Sequence, residues 1–247
     1  MSLSGQVAFV TGAGQGLGLA MALGFAQAGA RVVLTDITAG LDAAADRVRE
    51  TGQDCLALQL DVRDEAAFTG VFAQVLAHFG RVDVLVNNAA RTPSTSLWDI
   101  TADEWDDVLA INLRGAFFGC RIAGRHMRDM GTGRIINLAS VAGQQPSMAT
   151  GAHYGASKAA ILALTRSFAQ ALAPHGVTVN ALAPAAIRSE QLDALDPEQQ
   201  SRLAAGIPLG RFGLPQEVAA AAVYLASPLA AYTTGATLDL NGGRFMR

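Results

Sequence analysis

Short apolar runs alternate with helix-compatible segments from one end of the chain to the other. Seven such runs occur in order, namely QVAFVT, RVVLTD, CLALQLDV, VDVLVNNA, RIINLAS, VTVNALAP and ATLDLNGG. Strands that are apolar throughout and separated by helices are typical of a parallel sheet with both faces covered. The alternation therefore predicts an α/β fold, a doubly wound parallel sheet flanked by helices on both faces.

The same alternation predicts the helices and the number of domains. No linker, repeat or low-complexity tract interrupts it, so we expect a single domain over residues 1–247. The least regular piece, residues 185–212, contains two prolines and is interpreted as a substrate loop or, alternatively, as an ordinary surface excursion. The predicted helices are Leu17–Ala28, Leu41–Glu50, Glu65–Phe79, Glu104–Met130, Tyr154–Ala173 and Pro215–Ala226.

The net charge and the cysteine content indicate which class of partner binds and in which compartment the protein is found. The formal net charge is −3 and lysine and arginine do not cluster, so we expect a small-molecule substrate, no nucleic acid and no membrane. The N-terminus lacks a secretory pattern, no apolar run is long enough for a bilayer, and the two cysteines suggest free thiols. We therefore expect a cytoplasmic protein, and the scattered histidines predict no metal site.

A glycine-rich loop follows the first predicted strand and opens the first predicted helix. Its sequence, VTGAGQGLGLA, lacks the G-x-G-x-x-G fingerprint and instead fits G-x-x-x-G-x-G at Gly12, Gly16 and Gly18. Glycines at this place let a pyrophosphate approach backbone N–H groups at the positive end of a helix. The loop alone is weak evidence, but it favours a dinucleotide site.

An acidic residue at the end of the second predicted strand indicates which dinucleotide binds. Asp36 can accept hydrogen bonds from the adenosine ribose hydroxyls, whereas a 2′-phosphate would meet its charge with no cation in the following Ile37 and Thr38. The pattern favours NAD over NADP, and the alternative role for Asp36 is that of a helix N-cap or a solvated strand end. Asp61, after the third predicted strand, is placed near the adenine or is a plain strand-end acid.

A tyrosine and a lysine, Tyr154 and Lys158, are spaced so that both face the same side of a predicted helix. Taken alone, such a pair is usually a solvated tyrosine and lysine. Ser140 ends the fifth predicted strand, on the sheet edge where ligands bind. A carbonyl that accepts a hydride develops negative charge on its oxygen, so hydroxyl groups at that oxygen suit the chemistry.

Several motifs in a fixed order resemble those of the classical short-chain dehydrogenase/reductase family. The matching elements are Thr11-Gly12-x-x-x-Gly16-x-Gly18, Asn87-Asn88-Ala89, Asn112, Ser140, Tyr154-x-x-x-Lys158 and Pro184, and the match covers essentially the whole chain. The resemblance implies a single Rossmann-type domain with a seven-stranded parallel sheet, assembled as a homo-tetramer or dimer. It also implies hydride transfer between a nicotinamide cofactor and a carbonyl or alcohol.

The resemblance implies a role for each of four catalytic residues. Tyr154 would be the proton donor and acceptor, and Ser140 would hold the substrate oxygen. Lys158 would bind the nicotinamide ribose and lower the pKa of the tyrosine. Asn112 would hold a water molecule that relays protons from Lys158 to solvent.

The cofactor site implied by the resemblance extends from the glycine loop to the segment after the sixth strand. Within it, Val62 would help to seat the adenine, Ile187 would meet the carboxamide through its backbone, and Ser189 would reach the cofactor with its hydroxyl. The complete set of implied cofactor residues is Gly12, Gln15, Gly16, Leu17, Gly18, Asp36, Ile37, Asp61, Val62, Asn88, Ala89, Ala90, Tyr154, Lys158, Pro184, Ala185, Ile187 and Ser189.

Three positions depart from the usual family pattern without removing a catalytic group. Ala90 and Ala185 each stand where the family usually has glycine, and Asn241 stands where it usually has aspartate. These residues affect the expected loop conformation and cofactor affinity, and they leave the reaction class unchanged.

From these residues we expect an NAD-dependent alcohol dehydrogenase or ketone reductase. Its substrate would be a secondary alcohol, a polyol or a sugar-like compound. The alternative is an enzyme resembling 3-oxoacyl-[acyl-carrier-protein] reductases with NADPH as cofactor. We rank it second because Gln15 stands where those enzymes carry a basic residue. Two alternatives from other classes are a non-catalytic dinucleotide sensor and a methyltransferase, both of which the Ser140, Tyr154 and Lys158 set disfavours.

Overall fold

The computed structural model describes residues 1–38, 41–147 and 149–246. Its strands are β1 (Val7–Thr11), β2 (Arg31–Asp36), β3 (Cys55–Gln59), β4 (Val84–Asn87), β5 (Gly133–Leu138), β6 (Val177–Pro184) and β7 (Thr237–Leu240). Its α-helices are α1 (Gly16–Gln27), α2 (Leu41–Arg49), α3 (Glu65–Phe79), α4 (Ala102–Leu109), α5 (Gly115–Met130), α6 (Ala152–Leu172), α7 (Glu190–Asp193), α8 (Pro197–Ala205) and α9 (Pro215–Ala226).

The seven strands form one parallel sheet in the order β3-β2-β1-β4-β5-β6-β7. This arrangement confirms the predicted doubly wound sheet. The strand order reverses at β1, which pairs with β2 on one side and with β4 on the other. In open α/β sheets a ligand binds outside the carboxyl ends of the strands at such a reversal. The topology therefore directs attention to the loops after β1, β2 and β4.

Alternation along β1 shows how the sheet is covered on both faces. Ala8 and Val10 belong to a core shared with α1, α2 and α9, whereas Val7 and Phe9 belong to a second core shared with α3, α5 and α6. Successive side chains of a strand point to opposite faces, so each face buries its own apolar layer. The predicted helices thus lie on both sides of the sheet.

Two segments differ from the sequence prediction in their local structure. The predicted helix Glu104–Met130 is interrupted at Ala110–Arg114 by a π-helical turn, in which the Gly115 N–H donates to the carbonyl of Ala110. A π turn inserts a residue into an otherwise ordinary helix and is frequent at functional sites. The predicted loop 185–212 contains two short helices, α7 and α8, and a bridge that pairs Ile187 with Gly213.

A buried glycine in α5 is required by the polar core beneath it. A Cβ added to Gly119 would overlap the side-chain oxygen of Asn87, whose amide donates to Asn137 Oδ1 at 2.8 Å. We expect Gly119→Ala to lower the free energy of unfolding by about 2 kcal/mol, because the overlap must be relieved in a packed core. Urea denaturation of the two proteins measures this difference.

Gly70, on the exposed side of α3, is the matched control for that experiment. A Cβ added there meets nothing within 4 Å. Gly70→Ala should raise the free energy of unfolding by roughly 0.5–1 kcal/mol, as alanine favours the helix over glycine. Equal effects of the two substitutions would contradict the packing explanation for Gly119.

Candidate active site

A cavity of about 480 Å³ lies at the reversal of strand order and is lined by residues after β1, β2, β3 and β4 and by α6. Its walls bring together most of the residues predicted from the sequence for a cofactor. These are Gly12, Gln15, Leu17, Asp36, Ile37, Asp61, Val62, Asn88, Ala89, Ala90, Tyr154, Lys158 and Pro184.

The glycine loop has the conformation that its sequence requires. Gly12 and Gly16 have φ values of +63° and +59°, a region that favours glycine. A Cβ on Gly12 would lie 2.7 Å from Ala89 Cα, and a Cβ on Gly18 would overlap the Gly12 carbonyl oxygen. The loop therefore lies against the end of β4, and α1 starts at Gly16 with its free N–H groups beside the cavity.

Asn88 fixes the end of β4 to this loop. Its side-chain nitrogen donates to the carbonyls of Thr11 and Gly12 at 2.9 and 2.8 Å. In return, Thr11 Oγ1 accepts from the N–H groups of Asn88 and Ala89 at 3.0 and 3.1 Å. This network holds the two loops at a fixed separation on the floor of the cavity.

Asp36 ends β2, as predicted, and its carboxylate is held by backbone groups. It accepts from the N–H of Gly14 and from the N–H of Thr38, both at 3.0 Å. Among the described residues it forms no ion pair with a lysine or arginine. Its charge at the cavity wall therefore lacks a neutralising side chain, which favours a ribose hydroxyl over a phosphate at this place.

Asp61 lies on the cavity wall next to β3 and is paired with Arg63. The Arg63 guanidinium donates to both carboxylate oxygens at 2.7–3.0 Å, and this hydrogen bonding lowers the pKa of Asp61. Arg63 also donates to Asp107 Oδ1 at 2.8 Å. Arg63 also lines the cavity, and its guanidinium is shared by these two carboxylates.

Tyr154, at the start of α6, has two hydroxyl partners at its phenol. Burial raises the pKa of Tyr154 above its ordinary value, and the side-chain hydroxyls of Ser140 and Thr92 act in the opposite direction with a smaller effect. Ser140 follows β5 by two residues, is 8% exposed, and accepts from the Ala142 N–H at 3.1 Å. The predicted pair Ser140 and Tyr154 is thus brought together.

Thr92 is not among the residues predicted from the sequence, yet it lines the cavity and contacts the phenol. The sequence could have indicated Thr92, because it is a hydroxyl residue that follows shortly after β4, and ligands bind at the carboxyl ends of the strands in such a sheet.

Lys158 lies one helical turn after Tyr154, and both side chains line the cavity. Its Nζ donates to the carbonyl of Leu138 at 2.6 Å and is 5.6 Å from the centre of the Tyr154 ring. Burial lowers the pKa of Lys158 to about 8. Burial of the phenol is the largest influence on the pKa of Tyr154, and the predicted lowering of that pKa by Lys158 stays a prediction.

Asn112 lies inside the π-helical turn and is 1% exposed. Its amide accepts from the N–H of Arg91 at 2.8 Å and donates to the Arg91 carbonyl and to Ser157 Oγ, both at 3.0 Å. The side chain therefore connects the loop after β4 to α6. Its amide nitrogen and oxygen are both engaged in this connection, whereas the predicted water relay stays a prediction.

Five predicted cofactor residues do not line the cavity. Gly16 and Gly18 shape the loop, and the Ala185 N–H donates to the Leu240 carbonyl at 3.0 Å. Ile187 lines a separate cavity of about 240 Å³ near β7. Ser189 caps α7, where its hydroxyl accepts from the Leu192 N–H at 3.4 Å.

A second large cavity, of about 910 Å³, lies on the other face of α6 from Tyr154 and Lys158. It is lined by residues 94–98 and 142–147 and by one side of the helix that includes Ala152, Gly155 and Ala159. Because neither Tyr154 nor Lys158 lines it, we do not assign the reacting group to this cavity.

The first cavity fits a nicotinamide dinucleotide. It combines a helix N-terminus with a glycine loop that excludes a Cβ at Gly12 and Gly18, and with Asp36, whose carboxylate forms no ion pair among the described residues. A buried lysine and a tyrosine also line this cavity. Within the described ranges, no group of three or more histidine, cysteine, aspartate or glutamate side chains could hold a metal ion.

Comparison with known proteins places the chain in a family. A family model described as Enoyl-(Acyl carrier protein) reductase matches residues 12–244. The 3-oxoacyl-[acyl-carrier-protein] reductase FabG of Vibrio cholerae is 40% identical over 247 residues, which cover 100% of both chains. The chain belongs to the short-chain dehydrogenase/reductase family. It is thus an oxidoreductase of a family that binds NAD(P).

Further proteins similar to this short-chain dehydrogenase/reductase include a second FabG and two dehydrogenases. The FabG protein of Escherichia coli strain K12 is 39% identical and the alignment covers 100% of both chains. A solved putative short-chain alcohol dehydrogenase from Sinorhizobium meliloti is 38% identical with a TM-score of 0.92, covering 98% of this chain and 97% of that one. A solved NAD+-bound xylitol dehydrogenase is 32% identical with a TM-score of 0.93, covering 98% and 100%.

Across residues 1–38, 41–147 and 149–246, none of the helices is both long and apolar enough to cross a membrane.

Proposed function

We propose that this enzyme reduces the carbonyl group of a 3-oxoacyl thioester to the 3-hydroxyacyl product, with NADH as the hydride donor. The substrate class is supported by the names of the relatives that are about 40% identical along the whole chain. These relatives reverse our ranking from the sequence, in which the polyol function came first. The observation that carries the reaction is the cluster of Ser140, Thr92 and Tyr154 hydroxyls on the cavity that also contains Asp36.

The proposed chemistry assigns one task to each side chain at the inner end of the cavity. A bound nicotinamide supplies the hydride that adds to the carbonyl carbon. Ser140 donates a hydrogen bond to the carbonyl oxygen, and Tyr154 gives that oxygen its phenolic proton. Lys158 holds the nicotinamide ribose, and its positive charge favours the tyrosinate that remains.

The pKa of Tyr154 suits its proposed role as a proton donor. Burial holds that pKa above its ordinary value, which favours the protonated phenol. A protonated phenol is the form that donates to a carbonyl oxygen. Oxidation of an alcohol needs the tyrosinate instead, and burial opposes its formation.

NADH as the preferred cofactor follows from the uncompensated charge of Asp36. We expect the wild-type protein to bind NADH at least about tenfold more tightly than NADPH, because two like charges at close range repel by more than 1.4 kcal/mol. Asp36→Asn removes the charge and should increase NADPH affinity by about tenfold. Fluorescence titration of each protein with both cofactors measures the four dissociation constants.

Asp42→Asn is the matched control for the cofactor titration. Asp42 is an exposed carboxylate in the first turn of α2 and does not line the cavity. This substitution should leave the ratio of NADH to NADPH affinity unchanged. Tighter binding of NADPH than of NADH by the wild-type protein would contradict the proposed cofactor preference.

Polyol oxidation with NAD+ is the second candidate function. It is favoured by the solved xylitol dehydrogenase, whose name includes bound NAD+, together with Asp36 of this chain. Steady-state rates distinguish the two candidates, using 3-oxobutanoyl-N-acetylcysteamine with NADH and xylitol with NAD+. The first proposal expects a kcat/KM for the thioester at least about 100-fold above that for xylitol, and a reversed order would favour polyol oxidation.

The domain organisation, the assembly and the location of the protein are also proposed here. We infer a single domain and an assembly of identical copies, supported by exposed apolar side chains such as Leu229 and Tyr232. The cytoplasmic location rests on the sequence expectation. Membership of an oxidoreductase family, together with the hydroxyl cluster, argues against the non-catalytic sensor and the methyltransferase.

A further inference from the structure

Thr92 stands at the inner end of the cavity, beside the phenol that we assign to proton transfer. It lines the same cavity as Tyr154 and Lys158, and its side-chain hydroxyl is one of two that lower the pKa of the Tyr154 phenol. Ser140 is the other hydroxyl partner of that phenol. Two hydroxyls from different loops, one after β4 and one after β5, therefore meet at one phenol.

The backbone immediately before Thr92 is held by a buried amide. Asn112 accepts from the Arg91 N–H at 2.8 Å and donates to the Arg91 carbonyl at 3.0 Å. The same amide donates to Ser157 Oγ, which in turn donates to the carbonyl of Tyr154 at 2.7 Å. One side chain thus sets the position of the Thr92 loop relative to the helix that carries Tyr154.

The outer side of this loop is held by charge. The Arg91 guanidinium donates to Asp107 at 2.6 Å, and hydrogen bonding by Arg91 is the main cause that lowers the pKa of Asp107. Arg63 donates to the other oxygen of Asp107 at 2.8 Å. Although exposed ion pairs are individually weak, this network connects the loop to α4 and to the segment after β3.

We propose that Thr92 is a positioning residue for proton transfer, whose hydroxyl donates to Tyr154 Oη and stabilises the tyrosinate formed when the substrate is reduced. Asn112 sets the position of Thr92. This inference rests on the proposed role of Tyr154. In this proposal Asn112 positions the loop that carries Thr92, a role separate from the predicted water relay.

The proton balance of this step is simple. Hydride adds to the carbonyl carbon, the bond between Tyr154 Oη and its proton breaks, and that proton forms a bond to the substrate oxygen. Thr92 keeps its own proton and donates a hydrogen bond to the phenolate. Hydrogen bonds to a charged oxygen are stronger than those to a neutral one, so the hydroxyl favours the tyrosinate over the phenol.

Few other ionisable groups face this phenol. Lys158 on the same helix lies 5.6 Å from the ring centre and bonds to Leu138. His153 is buried and faces away toward α4, where its Nε2 lies 3.5 Å from Glu104 Oε1 and its ring stacks on Trp105. No carboxylate contributes to the pKa of Tyr154 among the described residues. A shift of its titration on changing Thr92 therefore reports on the hydroxyl.

The test is a direct titration of Tyr154 in the cofactor-free protein. The chain has three tyrosines, so the tyrosinate absorbance of a Tyr154→Phe variant is subtracted to isolate Tyr154. We expect Thr92→Val to raise the pKa of Tyr154 by about one unit, because a hydrogen bond to a charged group is lost. Thr92→Ser keeps the hydroxyl and should restore the wild-type titration.

The pH dependence of the reaction provides the second readout. The group that limits kcat/KM at high pH should move upward by the same amount in Thr92→Val and return in Thr92→Ser. An unchanged Tyr154 titration in Thr92→Val, or a shift that Thr92→Ser shares, would overturn the role of Thr92. If the titration shifts as expected but no carbonyl substrate is reduced, the role at the phenol stands and the proposed function fails.

Discussion

Tyr154→Phe is expected to lower kcat/KM for carbonyl reduction by about 10³-fold while leaving NADH binding unchanged. The substitution removes only the phenolic oxygen, and with it the proton that the substrate oxygen needs. The ring remains to fill the space beside Lys158, so the cavity keeps its shape. Initial rates with NADH, combined with NADH fluorescence titration, separate the loss of chemistry from loss of binding.

Tyr232→Phe is the matched control for this experiment. Tyr232 is fully exposed and does not line the cavity, so removal of its hydroxyl should leave both rate and binding unchanged. If Tyr154→Phe retained most of the wild-type rate, Tyr154 would not be the proton donor and the assignment of the cavity to this chemistry would fail.

Lys158→Met is expected to abolish activity and yet to stabilise the fold. Lys158 is 3% exposed, and burial lowers its pKa to about 8. A buried ammonium without a carboxylate partner costs free energy that an apolar side chain of similar length does not. We expect the free energy of unfolding at pH 7 to rise by about 2 kcal/mol. Loss of the hydrogen bond from Lys158 to the Leu138 carbonyl reduces this gain.

The pH dependence of this stability difference has a defined sign. The pKa of Lys158 is lower in the folded chain, about 8, than its ordinary value of 10.5 in an unfolded chain. The penalty is therefore complete below pH 8 and disappears as pH rises from about 8 to about 10.5, where only the unfolded chain still binds the proton. The stability advantage of Lys158→Met should shrink across that window.

Denaturant unfolding of both proteins at pH 7 and pH 10 measures this effect. Lys158 is the only lysine in the chain, so nuclear magnetic resonance of selectively labelled lysine reads its pKa without overlap. An ordinary lysine pKa, or a variant less stable than the wild type at pH 7, would contradict the view of Lys158 as a buried and destabilising functional residue.

The parts of this fold that follow from local pattern were predictable from the sequence. Apolar strands alternating with helices fixed the order of elements, and Asp36 lies at the end of β2 as expected. The glycines of the first loop stand where positive φ or close packing excludes a side chain. Each of these features depends on residues close together in the sequence.

The features that depend on tertiary structure were not predictable. The π turn at Ala110–Arg114 has the composition of an ordinary helix, and only the contacts of Asn112 with Arg91 and Ser157 show its purpose. Thr92 was missed for the same reason, because its partner Tyr154 is distant in the sequence. The direction of the Tyr154 pKa depends on burial, which exceeds the effect of its hydroxyl partners.

Substrate choice was the other point where sequence reasoning fell short. The glycine loop and Asp36 report on the cofactor alone, and Gln15 was used to rank a 3-oxoacyl substrate second. The relatives at about 40% identity are named 3-oxoacyl-[acyl-carrier-protein] reductases, which supports the proposed thioester substrate, and the proposed preference for NADH rests on Asp36.

Transfer of deuterium tests the central claim most directly. The enzyme is incubated with 3-oxobutanoyl-N-acetylcysteamine and NADH carrying deuterium at both C4 positions, and the product is analysed by mass spectrometry. The account predicts a 3-hydroxybutanoyl product with a single deuterium on C3 from the wild-type protein, and almost none formed by Tyr154→Phe in the same time. A product without deuterium, or equal formation by Tyr154→Phe, would contradict it.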